Sequence, residues 1–223
     1  MSYLAVALAC AVASFFVCGI PFGLIITKHK AGFDVRTAGS GNIGMTNVAR
    51  TAGSGAAVET FLCDMGKGVV CMLASRLVLA GLCLGGDFAA TAPQGERGLG
   101  ATLIYMACVL GHVYSPYLGF HGGKGISVGF GAALPFSWPV ALGMLAVFLV
   151  MAVPSKYVSL GSVCADIALP FLCLAVGISP ANLWPVLVVC ACVLWAHRGN
   201  IRKLAHGEER RFSVHHDGDG EAK

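Results

Sequence analysis

Charge is scarce in this chain. Asp, Glu, Lys and Arg make up 12% of its 223 residues, against 57% hydrophobic residues and a mean hydropathy of +0.77. A soluble domain carries about 25% charged residues, so the shortage excludes that class and points to a polytopic membrane protein. The first apolar stretch lacks a basic leader segment and is followed by Lys28 and Lys30. It is therefore expected to stay attached as a membrane helix and not to be cleaved as a signal peptide. Partners for the cysteines are also lacking. Nearly all of the ten cysteines lie in apolar stretches, where they act as small hydrophobes. Cys190, Cys192 and His197 have no second cluster to complete a coordination shell, and positions i and i+2 of a helix face different ways, so no metal site is expected. The positive residues flank helices instead of forming a basic stripe with aromatics, which excludes nucleic acid as a partner.

What is present is about seven apolar stretches, each near the length a membrane helix needs: 3–27, 53–84, 99–118, 126–136, 138–153, 158–176 and 183–196. The fourth is the shortest. Assigning alternate loops to alternate sides places Lys28, Lys30, Arg36, Arg50, Lys124, Lys156, Arg198, Arg202, Lys203, Arg210, Arg211 and Lys223 on one side and only Arg97 on the other. The positive-inside rule makes the crowded side cytoplasmic, with the N-terminus outside and the C-terminus inside. The expected fold is all-α, with about seven transmembrane helices and glycine-rich cytoplasmic re-entrant segments, forming a single domain over 1–212. Residues 213–223 are polar and are expected to be a disordered tail.

Three polar, glycine-rich segments interrupt the apolar pattern, and all three fall on the cytoplasmic side. Unpaired backbone and charge survive beside hydrocarbon only where they line a protected site. In GSGNIGMTNVAR (39–50), Gly39, Gly41 and Gly44 let the backbone turn closely ahead of a helix start. Ser40, Asn42, Thr46 and Asn47 add neutral hydrogen-bonding groups, and Arg50 adds a charged fork. Backbone N–H groups at a helix start cradle anions, so this reads as a phosphate site, although a tight loop with capping residues uses the same residue types. In GHVYSPYLGFHGGKG (111–125), Lys124 stands among glycines before a short helix, again favouring an anion. It is not a Walker A loop, because Leu118 and Gly125 stand where that motif needs glycine and a hydroxyl. His112 is open to two readings, a base or a buried structural histidine. In HRGNIRKLAHGEE (197–209), His197, Arg198 and Asn200 are placed to close over a bound anion, while Arg202, Lys203, Arg210 and Arg211 read as interfacial anchors. Asp64 and Lys67, three apart inside a span, are expected to pair as structural support, and Asp166 needs a partner that the sequence does not identify.

These runs, with YVSLGS (157–162) between the last two, resemble in order and spacing the bacterial acyl-phosphate:glycerol-3-phosphate acyltransferases, the PlsY family. The resemblance extends from the first span to about Glu209. It implies an inner-membrane enzyme with seven helices that transfers a fatty acyl group from acyl phosphate to the 1-hydroxyl of sn-glycerol 3-phosphate, giving lysophosphatidic acid and phosphate for phospholipid synthesis. It implies no metal and no cofactor, with membrane lipid as the remaining partner. Matched position by position, it implies that Ser40, Arg50, Lys124, Ser162, His197 and Asn200 hold glycerol 3-phosphate. Gly41, Asn42, Thr46 and Asn47 would hold the acyl phosphate. Ile43 and Met45 stand where the family motif usually has proline and alanine, and the position of His121 varies; these departures touch loop stiffness and not the anion-binding groups.

The chemistry fits such residues. An acyl phosphate carries its own leaving group, so a catalyst needs mainly to bring two anions together and neutralise them. No Ser-His-Asp or Cys-His set is evident, and a substrate phosphate oxygen is the favoured proton acceptor, with His197 the less favoured catalytic base. His29 and Asp34 match the His-x4-Asp spacing of other glycerolipid acyltransferases, but the companion motifs are absent. An anion transporter or channel is the competing class; the chain shows no internal repeat, and its polar segments gather on one face.

Overall fold

The computed structural model describes residues 2–211, and the tail expected at 213–223 lies outside them. The regular structure among the described residues is all helical, with no β-strand. The helices are α1 (Tyr3–Gly19), α2 (Phe22–Ala31), α3 (Met45–Cys83), α4 (Gly98–Val113), α5 (Ile126–Phe136), α6 (Trp138–Ser155), α7 (Val158–Ala175), α8 (Trp184–Ala196) and α9 (Arg198–Ala205). Among the described residues, five segments are long and apolar enough to cross a membrane, and the count reaches six only when α8 and α9, bent by 59°, are taken together as one. The fourth apolar stretch, α5, has 11 residues and is about 16 Å long, half a bilayer core.

Each expected stretch is helical, and the structure corrects where several of them begin, end and break. The first is split at Ile20 and Pro21, because proline has no N–H to continue the ladder. The second begins eight residues before Gly53 and is kinked there, where Gly53 adopts φ 86° and ψ 169°. That left-handed turn separates a short polar helix carrying Asn47 and Arg50 from the long apolar span. The third ends at Val113 and passes into a short turn at Pro116–Leu118.

α1 and α4 pack in parallel. The Tyr3 hydroxyl donates to the Arg97 carbonyl at 3.0 Å at one end, and Ser115 Oγ donates to the Gly19 carbonyl at 2.6 Å at the other. α5 lies against α3, where Gly68 and Gly131 allow the backbones to meet, and its end is held by Arg76, which donates to the Pro135 carbonyl. The core fills the space between α1, α3, α4, α5 and α8, while the outward faces of α1, α3, α6 and α7 present Leu8, Val12, Leu77, Leu82, Val150 and Phe171. Exposed side chains of that kind on every side suit hydrocarbon and not water.

Asp64 and Lys67 pair at 2.7 Å, each buried. Lys67 also donates to the Ile20 carbonyl at 2.7 Å and approaches His112 Nδ1 at 3.1 Å. The network closes the broken end of α1 against α3 and α4. His112 lines the polar cavity and also packs against the glycine loop: Gly122 and Gly123 donate to the carbonyls of Val113 and His112 at 2.9 and 3.1 Å. A Cβ on Gly123 would stand 2.1 Å from His112 Nε2, so only glycine fits the loop here.

Candidate active site

The loop ahead of α3 is organised by one side chain. Asn47, 2% exposed, accepts from Ser40 N–H at 2.8 Å and places its amide within reach of the carbonyls of Val35, Ala38 and Asn42, at 3.2, 3.1 and 2.9 Å. Gly39, at φ 61°, lies so close that a Cβ there would meet Asn47 Oδ1 at 2.2 Å. Asn42 Oδ1 accepts from Gly44 N–H at 2.9 Å, at the residue that caps α3. The first turn of α3 contains no acidic residue, so its remaining N–H groups and its positive dipole end face the space in front of it.

That space is a polar cavity of about 500 Å³. The amino end of α3, the loop before α5, the start of α7 and the α8–α9 bend enclose it. Of the residues expected from the sequence, Ser40, Asn42, Thr46, Asn47, Arg50, Lys124, Ser162, His197 and Asn200 all line it. Gly41 does not: its N–H is taken by the Ala38 carbonyl at 3.0 Å, which closes the turn. Asn47 reaches the cavity, but its amide hydrogens are committed to the loop carbonyls, which makes it a positioning residue.

Lys124 is half-buried and donates to Asn200 Oδ1. Asn200 in turn donates to Glu209 Oε1 at 2.8 Å, and Ser159 Oγ donates to the same oxygen at 2.8 Å. Burial lowers the pKa of Lys124 from the usual lysine range; the Glu209 carboxylate opposes that shift, and Arg50 and Lys203 add to it. Three cations thus sense one another across one cavity. Arg50 is exposed and has no side-chain partner among the described residues. His197, 2% exposed, has Nδ1 at 2.9 Å from the Val193 carbonyl. A carbonyl only accepts, so Nδ1 carries hydrogen and Nε2 is the nitrogen left for other partners. Ser162 Oγ donates to its own helix at the Val158 carbonyl, 2.9 Å away, leaving its lone pairs toward the cavity.

Two groups read differently from the sequence. Lys203 and Arg210, taken as interfacial anchors, line the cavity with Arg198 because the 59° bend turns α9 across its mouth. Glu209 was not singled out; the signal was an acid inside an otherwise basic segment. His29 is exposed, and Asp34 is bound by Arg36 at 2.7 Å and Lys28 at 3.6 Å, so the His-x4-Asp spacing forms no pair. The Arg36 guanidinium holds the Asp34 carboxyl well below the usual carboxylate range. The described residues contain no cluster suited to a metal ion, and every cysteine is free.

A helical membrane bundle with oxyanion-binding groups gathered at one end is the class these observations define. A family model described as glycerol-3-phosphate acyltransferase matches residues 8–207. Relatives carrying that name include those of Rubrobacter xylanophilus, 39% identical over 90% of this chain and 92% of the relative, and Geobacter sulfurreducens, 37% identical over 90% and 95%. A relative from Methylorubrum extorquens is 40% identical over 88% of this chain and 89% of its own length. Two crystal structures of PlsY, an integral membrane glycerol 3-phosphate acyltransferase, are 32% identical and cover 93% of this chain and 96% of theirs. The glycerol 3-phosphate form superposes with a TM-score of 0.79 and the lysophosphatidic acid form with 0.74. The chain belongs to the glycerol-3-phosphate acyltransferase family and is a multi-pass integral membrane protein.

Proposed function

We propose that the polar cavity transfers a fatty acyl group from acyl phosphate to the 1-hydroxyl of sn-glycerol 3-phosphate. The hydroxyl oxygen attacks the acyl carbonyl, the bond from acyl carbon to phosphate oxygen breaks, and the proton passes to a phosphate oxygen. Lysophosphatidic acid and inorganic phosphate leave. The observation that carries this reading is the convergence of Arg50, Lys124, His197 and Asn200 on one cavity that also holds the start of α3. Two anions repel unless they are neutralised together, and this cavity supplies cations and helix N–H groups for both.

Ser40, Arg50, Lys124, Asn200 and Ser162 hold the glycerol phosphate, with His197 Nε2 orienting it. Asn42, Thr46 and the backbone at the start of α3 take the acyl phosphate, in a loop shaped by Asn47 and Gly41. The acceptor phosphate then sits where Glu209 now competes for Asn200. The membrane is the bacterial inner membrane, with the cavity facing the cytoplasm. The clustering of basic residues at the cavity end supports that orientation, as does the contact of Tyr3 with Arg97 at the opposite end.

The test is direct. Purified protein in detergent or lipid should release phosphate from palmitoyl phosphate only when glycerol 3-phosphate is present, with lysophosphatidic acid formed in equal amount. Release without the acceptor, or no lysophosphatidic acid, would refute it. His197→Ala should keep substantial turnover at saturating substrate; complete loss without a binding defect would make His197 the base.

A further inference from the structure

Beneath the polar cavity lies a second, apolar one of about 140 Å³. Tyr105, Val109, Phe130, Met144, Phe148 and Val189 form much of its wall, and Ile126, Ser127 and Ser162 line both cavities. The two spaces therefore adjoin, and an acyl chain whose carboxyl end is held above would enter the lower one.

One residue of the lower wall has the wrong polarity for hydrocarbon. Asp166 is 3% exposed, and its Oδ2 is closed to solvent with no hydrogen-bond partner among the described residues. No cation pairs with it there. The neighbouring Cys190 thiol meets the Asp166 backbone carbonyl at 3.3 Å and stands beside the carboxyl as a weak sulfur contact, which leaves Oδ2 without a hydrogen-bond partner. A buried carboxyl oxygen left without a hydrogen-bond partner destabilises the fold in either protonation state, so it marks a place where something else supplies the contact. Asp166 follows Ser162 by four residues on α7 and shares its face, about 6 Å deeper in the bundle. That depth corresponds to the first few carbons of a chain whose carbonyl lies near Ser162.

We propose that Asp166 recognises a hydroxyl carried by the acyl chain near its carboxyl end, so that the protein selects hydroxyacyl donors over plain saturated ones. A methylene chain in this cavity seals the carboxyl against hydrocarbon. A hydroxylated chain gives it a partner with both donor and acceptor capacity. Water can fill that role before the chain arrives, but the chain displaces it, and only a hydroxyl restores the lost hydrogen bonds. The inference rests on the acyl-phosphate reading for its kinetic test and not for its binding test.

The kinetic test offers the full-length protein palmitoyl phosphate and 3-hydroxypalmitoyl phosphate in competition, with glycerol 3-phosphate as acceptor, and separates the products by mass. The hydroxylated donor should be favoured about fivefold to tenfold in kcat/KM, the worth of one net hydrogen bond in a dry site. Asp166→Leu should abolish the preference, and Asp166→Asn, closer in shape, should keep part of it. Equal use by the native protein, or an undiminished preference in both variants, overturns the proposal. The binding test compares thermal stabilisation by palmitoyl and 3-hydroxypalmitoyl lysophosphatidic acid, which needs no donor. Should neither acyl phosphate turn over while the hydroxylated product still stabilises the native protein more than Asp166→Asn, the donor reading fails and the Asp166 site stands. Equal stabilisation by the two products sinks the Asp166 site.

Discussion

Asp64 and Asp166 are both buried in the helical bundle, 2% and 3% exposed, and each has a carboxyl oxygen outside any well-formed hydrogen bond, but only Asp64 has a cation beside it. Asp64 sits beside Lys67 and His112, at 2.7 and 3.7 Å, in a network tied to the Ile20 carbonyl. Asp166 has hydrocarbon on most sides and no partner for Oδ2. The difference separates scaffold from site. A compensated charge holds α1, α3 and α4 together at the wall of the polar cavity, whereas a carboxyl without a cation lines the apolar one.

The largest effect tests the compensated side. Lys67→Met strands Asp64 and should cost about 3–5 kcal/mol of stability, read as a fall in the midpoint of denaturation in detergent. The double variant Asp64→Leu with Lys67→Met should recover most of that loss, since replacing both partners of a buried pair is often near neutral. Next comes the cavity that this scaffold supports. Lys124→Ala should lower kcat/KM for acyl transfer by about 10²–10³, as removal of a positioned charge-stabilising donor does, with little change in thermal midpoint. His29→Ala should keep activity, because His29 forms no pair with Asp34.

Smaller effects sharpen the picture. Asn47→Ala leaves three loop carbonyls and the Ser40 N–H without their partner and should cost about 1–3 kcal/mol, together with a higher KM for the donor. The pH profile reports on Lys124. Its pKa is lowered, so the ammonium is lost at a lower pH than in a free lysine, and KM for glycerol 3-phosphate should begin to rise there as the medium turns alkaline. Glu209→Gln removes the carboxylate that opposes the shift, so this limb should move to lower pH; movement to higher pH would contradict the assignment. The smallest effect falls on the uncompensated side. Asp166→Leu should change stability by no more than about 1 kcal/mol, and in the favourable direction, as replacement of an unpaired buried polar group by a hydrocarbon one of similar volume does.

Most of the site was legible from residue type and order. Glycines beside Ser, Asn, Arg and Lys have no reason to interrupt apolar spans except to shelter a polar site, so Ser40, Arg50, Lys124, His197 and Asn200 stood out. Gly41 stands outside the cavity lining, with its N–H on the Ala38 carbonyl, because sequence cannot show which N–H a turn consumes. Lys203 and Glu209 were missed for a related reason: whether a charged residue after the last span faces lipid headgroups or a cavity depends on the bend between α8 and α9. The span limits were legible only to within a turn or so, because Pro21 and Gly53 each permit a break without dictating its angle.

By itself, the sequence determined that this chain lives in a membrane, that its length is spent on apolar helices, and that its polar, glycine-rich segments fall between them. Those conclusions rest on transfer free energies, which each residue carries with it wherever it sits. Only the tertiary structure decided which of the buried charges are compensated, which amides are already spoken for, and that an apolar cavity with a lone carboxyl adjoins the polar one. Those outcomes depend on distances of a few ångströms between residues far apart in the chain, set by how helices pack and bend.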